Sequence, residues 1–271
     1  MRSSSIPSHS IVMHQSPTNA APASIEKLQE ELAQIGVRSG DALMVHASLR
    51  SVGAIEGRGQ GLITALLNSV GERGTLMAYA DFELTAELPH FDPNHSRARP
   101  QYGVFAELVR TSPGAFRSGN PGASMVAIGA QAQWLCENHP LSYGYGPEGP
   151  LGKFVSLGGK VLLLGSDPDQ VTLLHLAEHL ARIPNRRVVQ RQVDLLQADG
   201  SLGPIVIEEF DTSHPVVSAM PEKIFAQIVG RFIESGAAAI GQVGRAQAHL
   251  LPADALVSFA VRLIEHEYGG A

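Results

Sequence analysis

Short apolar runs and helical periodicities alternate along most of this chain. Ile25, Leu28, Leu32 and Ile35 recur at helical spacing behind Ser24, a good capping residue, and Gly36 ends the pattern. The spacing predicts a helix over 24–35. The runs 42–47 (ALMVHA), 75–79 (TLMAY), 124–128 (SMVAI) and 160–164 (KVLLL) are continuous apolar stretches, as in strands buried on both faces. Helical patterns are expected over 62–70, 104–110, 130–138 and from Asp169 or Gln170 through Ala181. Residues 48–61 and 143–154 read as glycine-rich loops, and 81–100 as a long polar excursion of the kind that often borders a site. Beyond Pro184 the pattern changes. Residues 188–213 alternate like two antiparallel strands around an Asp199-Gly200 turn. Helices over 222–234 and from Ala253 or Asp254 close the chain. Alternating strands and helices give an α/β layered fold, and the 188–211 pair adds an antiparallel part. No linker divides the chain, so one domain is expected over 24–271.

Composition narrows the possibilities. The chain has 271 residues, 44% hydrophobic, enough for one large core or two modest ones. Its net charge of -6 argues against nucleic acid and for cationic or neutral ligands. The single cysteine, Cys136, excludes an internal disulfide and a cysteine-rich metal site, and its apolar setting suits a core thiol. No apolar run reaches the roughly 18 residues of a membrane span, so no membrane association is expected. Residues 1–23 are rich in Ser, Pro and Ala and lack the apolar segment of a secretory signal. They read as a disordered tail, and the cytoplasm is the expected compartment.

The stretch His175-Leu-Ala-Glu-His179 carries the most chemistry. It matches H-x-x-E-H, a zinc peptidase pattern, and puts His175, Glu178 and His179 on one broad helix face. Three readings stand: a zinc site, an acid-base histidine with a carboxylate partner, or histidines without a special role. The segment 46–53 (HASLRSVG) sits where the first strand becomes a glycine loop. Its backbone N–H groups could receive a phosphate or thioester oxygen, and Ser48 could donate a hydrogen bond. The alternative is a plain polar turn. Residues 57–61 (GRGQG) lack the ending of a P-loop. Candidate carboxylates are Asp81, Glu83, Glu87, Asp92, Asp167, Asp169, Glu208, Glu209 and Asp211. Glu208 and Glu209 end a strand, so they point to opposite faces, and one of them can turn inward.

Seven segments in order carry a resemblance: 40–53 (GDALMVHASLRSVG), 74–82 (GTLMAYADF), 89–93 (PHFDP), 116–129, 141–155, 159–181 and 243–261. Together they resemble the aminoglycoside 3-N-acetyltransferase family over roughly residues 25–268. The resemblance implies transfer of an acetyl group from acetyl-CoA to the 3-amino group of a 2-deoxystreptamine ring. It implies a single α/β/α domain with a central mixed sheet, distinct from the common GNAT acetyltransferase fold, often dimeric, and without a metal. It makes His175 the base within T-x-x-H-x-x-E, Glu208 the carboxylate that orients it, Glu178 a supporting residue, and Thr172 and Ser48 hydroxyls near the thioester. His46, Ala47, Ser48, Leu49, Arg50, Ser51, Val52 and Gly53 match the coenzyme A contact region. Ser118 and Asn120 match a motif in which many relatives carry a histidine at the second position. On this reading His179 has no ligand role. One departure concerns substrate range: after Asp211 relatives often carry an acidic run, where this chain has the apolar VVSAM of 216–220. Asp81, Asp92, Asp169 and Asp211 are the candidates for gripping ammonium groups. The expected chemistry is direct attack of the amine on the thioester, with loop N–H groups or the Thr172 hydroxyl steadying the oxyanion. The alternatives are an N-acetyltransferase of the same fold for another amine, or a zinc hydrolase using His175 and His179.

Overall fold

The computed structural model describes residues 21–82, 85–197 and 199–269. Seven strands form one mixed sheet, in the order β3 (Phe116–Arg117), β4 (Met125–Gly129), β2 (Thr75–Tyr79), β1 (Ala42–Ala47), β5 (Lys160–Leu164), β9 (Ala246–Pro252), β8 (Ala239–Val243). β1 runs parallel to both β2 and β5, while β4 and β9 flank these three strands antiparallel. The buried faces explain the continuous apolar runs. In β5, Val161 and Leu163 enter one core, and Leu162 and Leu164 enter the other. β1 divides likewise, with Met44 on the first side and Leu43 and Val45 on the second. Helices α1 (Ile25–Gln34), α3 (Arg58–Val70) and α4 (Phe105–Arg110) cover the second face. Helices α5 (Ala132–Cys136), α6 (Pro150–Ser156), α7 (Leu174–Leu180), α8 (Ile224–Glu234) and α9 (Ala253–Tyr268) cover the first. This is the expected α/β/α layering.

The antiparallel addition is a separate two-stranded ribbon, β6 (Val188–Leu196) with β7 (Leu202–Phe210). The 81–100 excursion anchors it. Phe91 is fully buried beside Phe82 and Leu195, and its N–H donates to the Asp194 carbonyl at 2.8 Å. A two-stranded ribbon needs such support to hold its shape.

Several boundaries differ from expectation for identifiable reasons. The glycines of 57–61 do not form a loop: α3 starts at Arg58, and a Cβ on Gly61 would lie 1.8 Å from the Glu56 carbonyl oxygen. They allow a close approach. Part of the 48–61 loop is also a short helix, α2 (Leu49–Val52), capped by the Ser48 hydroxyl. Pro150, with its φ preset for a first helical position, opens α6 inside the expected 143–154 loop. A 3-10 turn at Pro168–Gln170 takes up the start of the expected 169–181 helix, so α7 begins at Leu174. β8 and β9 were not expected at all; they lie in a Gly/Ala-rich stretch and turn at Gly244, whose φ is +60°. Ordered structure also starts before Ser24, since Ala23 pairs with Ile55. The remainder of the expected tail, 1–20, lies outside the described residues, as does Glu83. Among the described residues no helix is long and apolar enough to cross a membrane.

Candidate active site

Parallel strands β1 and β2 end at the same side of the sheet, and a cavity of about 430 Å³ opens there. Ligand sites of open α/β sheets lie beyond the carboxyl ends of strands. Val45, His46 and Ala47 close β1, and Ala78 and Tyr79 close β2; all five line the cavity. Asp169, Gln170, Thr172, His175 and Glu178 reach it from the segment after β5. Phe225 of α8 and residues 212–215 supply another wall.

His175 is held on three sides. Its Nδ1 lies 2.7 Å from Glu178 Oε2, and the Glu178 side chain is only 4% exposed. Its ring sits against Tyr145 at 4.6 Å and edge-on to Phe225 at 4.8 Å. The one-turn spacing of residues 175 and 178 on a helix makes this pair local. A carboxylate accepts hydrogen bonds and does not donate them, so Nδ1 carries the proton and Nε2 keeps its lone pair. That is the form in which an imidazole takes up a proton.

The expected His175–Glu208 pair is not formed. Glu208 accepts from the Tyr143 hydroxyl at 2.6 Å and from Gln190 Nε2 at 2.7 Å, and these two bonds hold its carboxyl below its ordinary range. The alternation of β7 turns Glu209 inward instead. Glu209 accepts from the Tyr145 and Phe210 N–H groups and pairs with His179 Nε2 at 2.8 Å. His179, expected to have no special role, is therefore buried in a carboxylate pair and stacked 4.1 Å from Phe210. The two histidines of the H-x-x-E-H stretch are drawn to different carboxylates. Among the described residues no three His, Cys, Asp or Glu side chains form a cluster that could hold a metal ion.

Other expected residues are split between cavity and scaffold. His46, Ala47, Thr172 and Asp169 line the cavity, although Asp169 also accepts from the Ala226 N–H. His46 Nε2 is buried without a partner, and burial lowers the ring's pKa to about 4. A buried polar atom of this kind is what a ligand can satisfy. Ser48, Leu49, Arg50, Ser51, Val52 and Gly53 form α2 and its ends, next to the cavity residues but not lining it. The N–H groups of Ser48, Ser51, Val52 and Gly53 are bonded within the chain, so these four do not supply the expected oxyanion contacts. Ser118 and Asn120 are fully engaged inside the protein. The Ser118 hydroxyl oxygen accepts from the Met125 N–H and bonds His139. Asn120 donates to the Pro140 and Leu141 carbonyls and accepts from the Gly122 and Ala123 N–H groups. Asp92 organises its own turn through Asn94 and His95. Asp81 pairs with Arg99 at 3.0 Å, and Asp211 accepts from the Ser213 N–H.

Sequence reading missed Tyr79, Tyr102, Tyr145, Phe225 and Glu222, all on the cavity wall. Tyr79 had a usable signal, since it is the last residue of a strand whose carboxyl end faces the site. Glu222 had none, because its place depends on how α8 docks.

His139 sets an acid limit on stability. Its Nε2–H donates to the Gly144 carbonyl at 2.8 Å and its Nδ1 accepts from Ser118, which fixes the neutral ring. Burial holds its pKa at about 4, against an ordinary 6.5. Below pH 6.5 the unfolded chain takes up this proton and the folded one does not, so stability falls between pH 6.5 and 4. By pH 4.5 the loss from this group is on the order of 2–3 kcal/mol. Denaturant unfolding at pH 7 and 4.5 checks it: His139→Gln loses less stability between the two pH values than the wild type by about that amount.

Comparison with known proteins places the chain among relatives. A family model described as aminoglycoside 3-N-acetyltransferase matches residues 44–265. An aminoglycoside N(3)-acetyltransferase III of Pseudomonas aeruginosa is 38% identical over 258 residues, covering 89% of this chain and 93% of that protein. The solved structure of AAC-IIIb in binary complex with CoASH superposes with a TM-score of 0.89 at 43% identity, covering 93% and 99% of the two chains. AAC-VIa bound to sisomicin superposes with a TM-score of 0.86 at 34% identity, covering 92% of this chain and 100% of that one.

Proposed function

This chain belongs to the aminoglycoside 3-N-acetyltransferase family, and we propose that His175, oriented by Glu178, is the base of its acetyl transfer. The reaction is acetyl-CoA-dependent N-acetylation of the 3-amino group of an aminoglycoside, a modification that confers resistance. The observation that carries the site assignment is the 2.7 Å contact of His175 Nδ1 with a buried carboxylate on the wall of the cavity.

An ammonium has no lone pair, so the substrate nitrogen loses a proton before or during attack. His175 Nε2 accepts that proton, and Glu178 stabilises the imidazolium that results. The amine nitrogen then forms a bond to the thioester carbonyl carbon, and the carbon–sulfur bond breaks. As that bond breaks the nitrogen gives up a second proton to water, and coenzyme A leaves as thiolate and takes the proton held by His175, so ammonium and acetyl-CoA become amide, thiol and one released proton. Thr172 lines the cavity, and its hydroxyl, 3.4 Å from the Gln170 carbonyl oxygen, is the side-chain donor that can turn to the developing oxyanion. Both substrates share one cavity, and proximity supplies much of the acceleration. His46 and Ala47 border the thioester end in this reading, with α2 behind them. Besides Glu178, the cavity carboxylates that can meet other ammonium groups are Asp169, which also accepts from the Ala226 N–H, and Glu222, which lies 3.5 Å from His214 Nδ1; Asp81, Asp92 and Asp211 are not on its wall. Acetyl-CoA is an intracellular metabolite, which supports the cytoplasm as the site of action.

Thiol release from acetyl-CoA against an aminoglycoside panel tests the activity. Turnover is expected with compounds bearing a free 3-amino group and is lost when that group is blocked. Equal turnover of the blocked compounds would point to another amine.

A further inference from the structure

The cavity wall next to the reacting histidine contains a hydrogen-bond chain whose direction is fixed. The Tyr145 hydroxyl lies 3.1 Å from the Gly122 carbonyl oxygen and 3.0 Å from the Tyr79 hydroxyl. Two protons serve these two contacts. A carbonyl oxygen only accepts, so the Tyr145 proton goes to Gly122. The Tyr79 proton must then go to Tyr145. The Tyr79 oxygen keeps lone pairs only, on a residue that lines the cavity.

We propose that Tyr79 is a specificity-determining residue: with its proton committed to Tyr145, it offers the cavity an acceptor that selects an ammonium or hydroxyl donor on the sugar. This rests on the acetyltransferase reading for the identity of the ligand, but the direction of the chain does not depend on it. The surroundings agree. Tyr102 packs edge-on to Tyr79 at 5.4 Å and also lines the cavity, so a cation there would meet aromatic faces. Asp81, two residues along from Tyr79, adds negative potential to both rings. Burial raises the Tyr79 pKa well above its ordinary value, so the hydroxyl stays protonated and the chain stays directed at any working pH. A group with only acceptors to offer, such as a carboxylate or phosphate, is disfavoured at this wall.

Two variants separate recognition from packing. Tyr79→Phe and Tyr145→Phe both break the bond between the hydroxyls, and both keep their rings. Only Tyr79→Phe removes the cavity acceptor. Sisomicin affinity is measured by calorimetry in the presence of coenzyme A, alongside sisomicin KM and kcat and a thermal melt of each variant. The expected result is an affinity at least about tenfold weaker in Tyr79→Phe, the lower edge of what a lost hydrogen bond to a charged donor costs, with a smaller loss in Tyr145→Phe. The loss falls on KM for the amine rather than on kcat. Tyr79→Phe affinity within twofold of wild type would overturn the proposal, and so would equal or larger losses in Tyr145→Phe, which mark a structural role. The calorimetric arm is read without turnover, so a wild type that binds sisomicin but fails to acetylate it counts against the proposed activity and leaves this comparison intact.

Discussion

Replacing His175 by Ala is expected to lower kcat/KM for acetyl transfer at pH 7.5 by at least about a hundredfold, the lower range for loss of a general base. The ring is the only group on the cavity wall that combines a free imidazole nitrogen with a buried carboxylate behind it. Two other imidazoles line the cavity: His46 stays neutral to about pH 4 and has no acid partner to stabilise a charge, and His214 lies 3.5 Å from Glu222, with both side chains exposed. The substitution has a structural cost as well. Glu178 is almost fully buried, and removing its partner leaves a lone carboxylate, which typically costs about 3–5 kcal/mol. His175→Gln is therefore the companion variant: its amide can still donate to Glu178 but takes up no proton. Both variants lose turnover, and His175→Gln keeps more of the wild-type melting temperature. A folded His175→Gln with near-normal kcat/KM would remove His175 from the chemistry.

The second large effect is expected at Glu178. Glu178→Gln keeps the shape and an accepting oxygen and loses the charge. Hydrogen bonds to charged groups are worth about 1.5–3 kcal/mol and neutral ones about 0.5–1.5. The difference, about 1–1.5 kcal/mol, appears when the imidazolium forms, and it translates to roughly a fivefold to tenfold loss of kcat. Glu208→Gln is expected to change kcat by less than about threefold, because Glu208 contacts Tyr143 and Gln190 rather than the base. Steady-state kinetics of the two variants side by side checks this ordering. A larger loss in Glu208→Gln would restore the pairing that the sequence suggested.

That exchange of partners marks the limit of what the sequence showed. The sheet was legible because strands buried on both faces read as continuous apolar runs: 42–47, 75–79 and 160–164 all became central strands. β8 was not, because at the edge of the sheet only Val243 of its five residues is buried, and it carries no such run. The glycines of 57–61 misled for a different reason. Glycine marks both a turn and a close approach, and only the packed structure says which. At the site, the i, i+3 spacing of His175 and Glu178 was visible from the start, and the local pair is the one that forms. The distant carboxylate that the resemblance implied, Glu208, contacts Tyr143 and Gln190 instead. Strand alternation assigns Glu208 and Glu209 to opposite faces but not which face is inside, and that was decided by how the β6–β7 ribbon docks, through Leu195, on Phe82 and Phe91. Ser118 and Asn120, both bonded within the protein, are hard to read for a related reason. A buried Ser or Asn whose polar atoms all have partners looks, in a sequence, like one waiting for a ligand.

The central claim is that His175 and Glu178 act as one unit in proton removal. The direct measurement is kcat/KM for wild type, His175→Gln, Glu178→Gln and the double variant under one set of conditions. Residues that act as a unit are non-additive. The double variant is predicted to match His175→Gln within about twofold, since a carboxylate has nothing to stabilise once the imidazole is gone. A double variant slower than His175→Gln by the full factor that Glu178→Gln shows alone would contradict the pair.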